Sequence, residues 1–224
     1  MAIFPASAIP SGASDFDIPY SCRFNDNDSA YLSKTPAGAG NLRTWTWSGW
    51  LKIGKFGTHA ALFGKAYGST PWSQLMFESE ALEFRHYIDG YYGYNITLIT
   101  TQVFRDPSAW YHIVLAVDTE QAVAANRVKM YVNGVQITDF STATYPAEDY
   151  DTIINSTNEH QIGRQGTLDR YLDGYLAEVH FIDGTQLTPT SFGETGDYGE
   201  WKPIEVTGLT YGTNGFYLDF SDSA

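Results

Sequence analysis

Hydrophobic and polar residues alternate with a period of two along most of the 224-residue chain. That period is typical of β-strands, because successive side chains of a strand point to opposite faces. The clearest example is segment 43–52, RTWTWSGWLK. It places Trp45, Trp47 and Leu51 on one face of the strand and mostly polar residues on the other. The pattern therefore predicts a strand with one face buried in a core.

The same alternation, bounded by turn residues, predicts most of the other elements. Strands are expected at 59–67, 73–88 (two strands folded over Ser79–Glu80), 95–104, 109–118, 127–138, 160–164, 174–182 and 215–219. Asp89-Gly90 and Asn133-Gly134 are typical of two-residue hairpin turns, which require positive φ angles. Segment 145–159 is acidic and does not alternate, so we expect a long surface loop there.

The helical signal is confined to one place. Thr188 suits an N-cap, Pro189 suits the first helical position and Gly193 suits the end of the turn. Parallel sheets would need crossover helices, which the pattern lacks. The sequence thus predicts an all-β fold, a two-sheet antiparallel β-sandwich of the jelly-roll type with one short helical turn. The sandwich domain is expected at 20–224, preceded by an N-terminal arm at 1–19 that is rich in Pro, Ser and Ala.

The charge balance excludes several classes of partner. Lys and Arg number 13 against 26 Asp and Glu, which gives a formal net charge of −13 without a basic cluster. A nucleic-acid surface needs clustered cations, and so does a surface for anionic lipids. No run approaches the length of a membrane span. The N-terminus has no basic start and is broken by Pro5 and Pro10, so we do not expect a signal peptide.

Four segments in order carry a resemblance to a known family. They are TWTWSGWLK (44–52), WYHIVLAVDT (110–119), VKMYVNGVQIT (128–138) and YLDGYLAEVHFIDG (171–184). Together they resemble the laminin-G-like and pentraxin-like branch of the concanavalin A-like lectin/glucanase superfamily. The later segments LTPTSFGE, WKP and NGFYLDFSDSA are similar to lectin-like domains in structural proteins of tailed bacteriophages, whose chains continue past this last strand.

This resemblance implies a location in the virion and a non-enzymatic, lectin-like role in adhesion to a glycan. Other virion proteins or further copies of the chain are the implied protein partners, and no cofactor is required. Two alternatives stay open, a purely structural decoration or assembly module and a glycoside hydrolase of the same superfamily. One superfold hosts many functions, so the fold alone does not choose among them.

Glycan binding needs aromatic rings for stacking and planar polar groups for hydroxyls. The densest aromatic run contains Tyr91, Tyr92 and Tyr94 beside Asn95, and Trp72 is expected in a second loop. These five residues form the candidate glycan site. The alternative is that the same aromatics pack between the sheets or between protomers.

The resemblance also implies that a calcium ion can bind, since laminin-G-like and pentraxin-like domains often hold one through loop oxygens. The candidate ligands here are Asp26, Asp28, Asp149 and Asp151, and Asp169 with Asp173 is a further pair. The alternative is that these acids only keep the loops soluble.

Catalytic patterns are weak by comparison. Glu78, Glu80 and Glu83 superficially match the E-x-D-x-x-E pattern of glucanases, but they straddle a predicted hairpin tip. We expect Glu78 and Glu83 to lie on different arms without converging. A Ser-His-Asp triad stays open, because its members meet only in space. The five histidines show no zinc-ligand spacing, and the resemblance makes His112 a structural residue.

Overall fold

The computed structural model describes residues 16–56, 59–65, 71–87, 95–166 and 170–222. Two large antiparallel sheets dominate the described part of the chain and pack face to face. The all-β sandwich predicted from alternation is therefore confirmed. No helix among the described residues is long and apolar enough to cross a membrane.

Each large sheet has seven strands. The first sheet contains, in spatial order, β1 (Cys22–Phe24), β13 (Gly174–Asp183), β3 (Thr44–Ile53), β8 (Tyr111–Asp118), β9 (Val128–Val132) and β10 (Val135–Gln136), with β16 (Phe216–Leu218) also paired to β13. The second sheet contains β11 (Phe140–Thr144), β7 (Ile96–Val103), β6 (Ala81–Tyr87), β5 (Trp72–Glu78), β4 (Ala60–Lys65), β12 (His160–Ile162) and β2 (Leu32–Lys34). A small third sheet pairs β14 (Gly193–Thr195) with β15 (Trp201–Pro203).

Helical structure is short but more frequent than predicted. The expected turn is a 3₁₀ helix at Pro189–Ser191. A second 3₁₀ helix covers Asp26–Asp28, and a four-residue α-helix, α1, covers Ala124–Arg127. The expectation of one helical turn is wrong because a single turn needs only local hydrogen bonds, which leave little periodicity in the sequence.

The core between the sheets is built on the apolar face of β3. Trp45, Trp47 and Leu51 are completely buried, as the alternation predicts. Trp45 meets Phe84 of the second sheet edge to face, with ring centroids 6.0 Å apart. Trp47 stacks on Phe63 at 6.3 Å. These aromatic contacts across the sandwich join the two layers.

The opposite face of β3 is buried as well. Segment 185–215, which we call the C-terminal cover, lies over the outer face of the first sheet. An apolar cluster fills the space between them: Val114, Ala116, Tyr131, Ile182 and Phe192, with Leu187, Val206, Leu209 and Tyr211 packed against it. The first sheet is therefore covered on both faces at β8, β9 and the C-terminal end of β13.

Both predicted hairpins inside the described ranges are confirmed. Ser79 and Glu80 have φ angles of 50° and 72° at the tip between β5 and β6. Asn133 and Gly134 have φ angles of 49° and 79° between β9 and β10. Positive φ at both central residues matches the right-handed twist of the flanking strands. Asp89-Gly90 lies outside the described residues.

The prediction of a surface loop at 145–159 is wrong for its central part. Thr152, Ile154 and Asn155 are buried. The hydroxyl of Thr152 accepts a hydrogen bond from the indole Nε1 of Trp45 at 3.0 Å. The amide of Asn155 donates to Asp183 Oδ1 at 2.6 Å. The segment is polar because it satisfies buried polar groups, so polarity alone does not show that it faces water.

The edges of the fold were less visible in the sequence. The three-residue strands β1 and β2 were not predicted, because three residues are too few to show a period. Positions 1–15 of the predicted arm lie outside the described residues, and its boundary stays a prediction. Residues 18–21 lie beside Trp50 and Trp110 on the outer face of the first sheet.

Four buried histidines predict a loss of stability in mild acid. Burial lowers the pKa of His86, His160 and His180 to about 4 and that of His112 to about 3. In the unfolded chain a histidine pKa is about 6.5, so below that pH only the unfolded state takes up these protons. The four histidines therefore lower the free energy of unfolding between pH 7 and pH 5. Acidic groups with raised pKa values offset part of this decrease, so the net decrease should be on the order of 4 kcal/mol.

Urea unfolding at the two pH values measures this difference. His86→Leu is the matched variant, because neither ring nitrogen of His86 has a hydrogen-bond partner among the described residues. We expect this variant to lose about 2 kcal/mol of the pH dependence, which is roughly half of the net change. Equal unfolding free energies of the wild-type protein at pH 7 and pH 5 would contradict the prediction.

Candidate functional site

The outer face of the second sheet carries a group of polar side chains. Leu75 and Phe77 of β5 point into the core, so Gln74 and Glu78 lie on the opposite face. On β6 the same rule places Glu83 and Arg85 outward. The register pairs Gln74 with Arg85 and Met76 with Glu83. The two strands thus bring acidic, basic and amide groups together on one surface.

One guanidinium connects the charged residues of this surface. Arg85 Nη2 lies 2.8 Å from Glu83 Oε2 and 3.4 Å from Glu78 Oε2. The imidazole Nδ1 of His59, just before β4, is 3.6 Å from the same oxygen of Glu78. We call these four residues, together with Gln74, the outer-face cluster.

Burial changes the proton affinity of this cluster. Desolvation raises the pKa of Glu83 to about 7, and the Arg85 guanidinium opposes that shift without cancelling it. Desolvation also lowers the pKa of His59, although nearby Glu78 acts in the opposite direction. Near neutral pH the Glu83 carboxyl is therefore protonated in part of the molecules, where it can donate a hydrogen bond, and ionised in the rest, where it can only accept one.

The prediction that Glu78 and Glu83 lie on different arms of the hairpin is confirmed, and the prediction that they do not converge is wrong. Glu78 and Glu83 do lie on separate strands, but they meet at Arg85. The two-residue tip pairs Glu78 with Ala81, and alternation then returns Glu83 to the same face. Counting strand alternation through the predicted tip would have found this arrangement.

The meeting of the two carboxylates does not reproduce a retaining glycosidase. Such enzymes need the sugar carbon that reacts to lie between the two carboxyl groups. Here Glu78 and Glu83 contact each other directly, and Arg85 Nη2 lies against both carboxyl groups. The geometry is that of an ion-pair network, which can offer hydrogen bonds to a ligand on its open side.

The predicted aromatic site is partly inside the described residues. Tyr91, Tyr92 and Tyr94 lie outside them, so their assignment to a glycan site stays a prediction. Asn95 is exposed at the start of β7, where its backbone N–H donates to His86 O at 3.0 Å. Asn95 and Trp72 therefore lie at the same end of the second sheet.

Trp72 does not lie in a loop as expected. It is the first residue of β5 and is 7% exposed. Its ring stacks on Tyr87 of β6 with centroids 6.1 Å apart, because the register places the two residues opposite each other. Tyr87, which was not among the predicted site residues, adds a second ring at this end of the outer-face cluster.

The carboxylates predicted to bind calcium all have partners within the protein. Asp26 Oδ2 lies 2.6 Å from Lys55 Nζ, and Asp28 accepts from the Asn25 amide at 2.6 Å. Arg43 donates to Asp151 at 2.7 Å and to Asp149 at 3.1 Å.

The two pairs therefore do not form one oxygen cage. In the part of the chain that the structure describes, no group of three or more His, Cys, Asp or Glu side chains could hold a metal ion. Asp169 lies outside that part. Calcium also takes backbone carbonyl and water oxygens, so calcium binding stays a prediction.

Ser48 and His112 form a hydrogen-bonded pair, but the ring hydrogen of His112 lies on the nitrogen that faces Ser48. Ser48 Oγ lies 2.8 Å from His112 Nε2. The indole Nε1 of Trp201, which can only donate, lies 3.0 Å from His112 Nδ1. Nδ1 is therefore the acceptor and Nε2 carries the hydrogen, so neutral His112 cannot take a proton from Ser48. His112 is a structural residue that ties the C-terminal cover to β3, as the resemblance implied.

The two-sheet sandwich defines a lectin-like class of β-fold. A family model described as the concanavalin A-like lectin/glucanases superfamily, of the laminin G type, matches residues 25–191. That match covers most of the chain, so the chain belongs to this superfamily. A search of curated protein sequences finds no match.

Solved structures show the same fold at low sequence identity. A "putative carbohydrate binding protein" from Bacteroides ovatus is 15% identical with a TM-score of 0.55, over 91% of this chain and 52% of that one. A pentraxin from Limulus polyphemus is 14% identical with a TM-score of 0.50, over 84% of this chain and 85% of that one. The chain thus spans about half the length of the Bacteroides protein.

The raised pKa of Glu83 predicts a characteristic pH dependence. The folded protein keeps the Glu83 proton up to about pH 7, whereas a glutamate in the unfolded chain loses it near pH 4.5. Its contribution to stability is therefore complete in acid and declines as the pH rises through 7. Glu83→Gln mimics the protonated form and removes this decline.

The free energy of unfolding of wild type minus that of Glu83→Gln should be about 1–3 kcal/mol lower at pH 8 than at pH 5. Glu205→Gln, at an exposed position of the C-terminal cover, is the matched control. A wild-type-minus-variant difference that is the same at both pH values would show that Glu83 is ionised throughout.

Proposed function

We propose that this chain is a non-catalytic carbohydrate-binding module. The observation that carries the proposal is the outer-face cluster beside the stacked Trp72–Tyr87 pair. The chain belongs to a superfamily that contains lectins, and its fold is similar to that of the Bacteroides protein; both observations support the proposal. Polar groups next to aromatic rings are the combination that sugar recognition requires.

Each part of this surface has a chemical role in the proposal. Arg85 and Glu78 present fixed donors and acceptors to sugar hydroxyls, and charge-assisted hydrogen bonds of this kind are the stronger ones. Gln74 is 1% exposed, and its Nε2 has no hydrogen-bond partner among the described residues. Such a buried donor gains from a ligand oxygen or a bridging water.

The geometry supports binding without bond cleavage. A hydrolase would need a proton donor and a nucleophile or base on either side of the scissile bond. Arg85 instead links Glu83 to Glu78, as described above. The Ser48–His112 pair lies beneath the C-terminal cover and carries its proton on the wrong nitrogen for attack.

We further propose that the module serves adhesion as part of a bacteriophage virion. This step rests on the sequence similarity of segments near residues 187–222 to lectin-like domains of tailed-phage structural proteins. Weak glycan contacts suffice when many copies act together on one particle.

A structural role among other virion proteins or further copies is the second candidate. Tyr175 on the first sheet and Tyr20 and Trp110 beside it are exposed, and they favour this role because such rings are common in protein interfaces. This surface belongs to the opposite sheet from the outer-face cluster. The two roles can therefore be tested by separate substitutions.

A glycan array tests the binding function. We expect wild-type protein to bind a subset of glycans and Tyr87→Ala to reduce that signal at least tenfold, because one stacking face is lost. Tyr198→Ala is the matched control, since Tyr198 is 69% exposed in the turn between β14 and β15. The signal should survive a calcium chelator, because Lys55 and Arg43 already pair with the candidate carboxylates.

Circular dichroism of each variant separates lost binding from lost folding. An array on which folded wild-type protein binds no glycan would overturn the proposal. Equal signals from folded wild-type and Tyr87→Ala protein would move the glycan site away from this end of the sheet. Release of reducing sugar that Glu78→Gln abolishes would instead restore the hydrolase alternative.

A further inference from the structure

An apolar cleft of about 410 Å³ opens along one side of the sandwich. It lies between the edge strand β2 of the second sheet and the edge strand β16 of the first. Its main lining residues are Leu32, Phe63, Ile162, Phe216 and Leu218, with Lys34 at one end. A volume of this size falls within the range of small-molecule sites, roughly 300–1,000 Å³.

The strand register explains why the cleft is apolar. β2 pairs with β12 so that Leu32 lies opposite Ile162 and Lys34 lies opposite His160. Ile162 belongs to the core, so the inner face of the second sheet continues outward onto Leu32. Leu32 is 38% exposed, because the first sheet ends at β16 and does not cover it. The core is thus open to solvent at this edge.

Lys34 gives the cleft a charged end. Its Nζ donates to the backbone oxygen of Asn214 at 3.3 Å and lies 5.3 Å from the ring centroid of Phe216. No ion pair involving Lys34 occurs in the described ranges, although acidic residues outnumber basic ones two to one. An ammonium group has three donors, so two stay available to an anion.

His160 extends the polar end beside Lys34. Its Nε2 accepts the backbone N–H of Asn155 at 3.0 Å, which assigns the ring hydrogen to Nδ1. The residue is 7% exposed, and the backbone of Ile153 and of Asn158 lies close to its ring. Cation and imidazole therefore meet at one end of an otherwise apolar space.

We propose that this cleft binds a small amphipathic carboxylate. The hydrocarbon part lies against Leu32, Ile162 and Leu218, and the carboxylate pairs with the ammonium group of Lys34. A neutral hydrocarbon would leave Lys34 without an anion, whereas a polar sugar would leave the apolar walls without contacts. The inference goes beyond the proposed glycan function, because the cleft opens on the core side of the second sheet.

Calorimetric titration with octanoate and with 1-octanol at pH 7.5 tests this site. We expect saturable octanoate binding at least fivefold tighter than octanol binding, since only octanoate has an anion for Lys34. Lys34→Gln should weaken octanoate at least fivefold and leave octanol unchanged. Leu32→Asp should weaken both compounds at least tenfold, because it places a charge in the apolar wall.

The matched controls Lys129→Gln and Val135→Asp lie on the first sheet, away from the cleft, and should bind both compounds as wild type does. Absence of saturable octanoate binding to wild-type protein would overturn the proposal. Equal affinities in wild type, Lys34→Gln and Leu32→Asp would overturn it as well. Glycan binding should be unaffected by Lys34→Gln and Leu32→Asp, so each proposal can fail without the other.

Discussion

The fold depends on the strand β3 (Thr44–Ile53), because both of its faces are buried and its polar side chains need hydrogen-bond partners. Its inner face is apolar, but its outer face carries hydroxyl groups that the C-terminal cover shields from water. Thr46 Oγ1 donates to Thr185 O and accepts from Leu187 N–H, both at 2.8 Å. An unpaired buried hydroxyl would cost about 1–3 kcal/mol, so these contacts fix where the cover must lie. Ser48 contributes to the same arrangement through His112.

Alternation predicted the strands well because it is a local property of the sequence. It could not predict that Thr46 and Ser48 are buried, since their covering residues lie about 140 positions later in the chain. The same limit explains segment 145–159, where Thr152 and Asn155 are polar in order to satisfy Trp45 and Asp183. Residue type indicates the need for a partner, and only the fold shows whether that partner is water.

The candidate site shows a similar division. The density of aromatic residues in the sequence selected Trp72 as a site residue, and in the structure cross-strand pairing places Tyr87 next to it. The ion-pair network of Glu78, Glu83 and Arg85 was within reach of the sequence, because hairpin tip and strand period were both predicted. The position of His59 could not be predicted from the sequence, because His59 precedes β4 and reaches the cluster from outside the hairpin.

β13 (Gly174–Asp183) has one further consequence for how the molecule is made. β1 pairs with its first three residues, and β16 pairs with residues 179–181 on the same side. An early and a late segment of the chain therefore share a single strand. During translation the N-terminal strand cannot pair with β13 until residue 176 has left the ribosome, and its neighbour β16 emerges about 40 residues later. This edge is therefore completed only after residue 218 has been synthesised, and a nascent chain must stay soluble with the edge unpaired until that point.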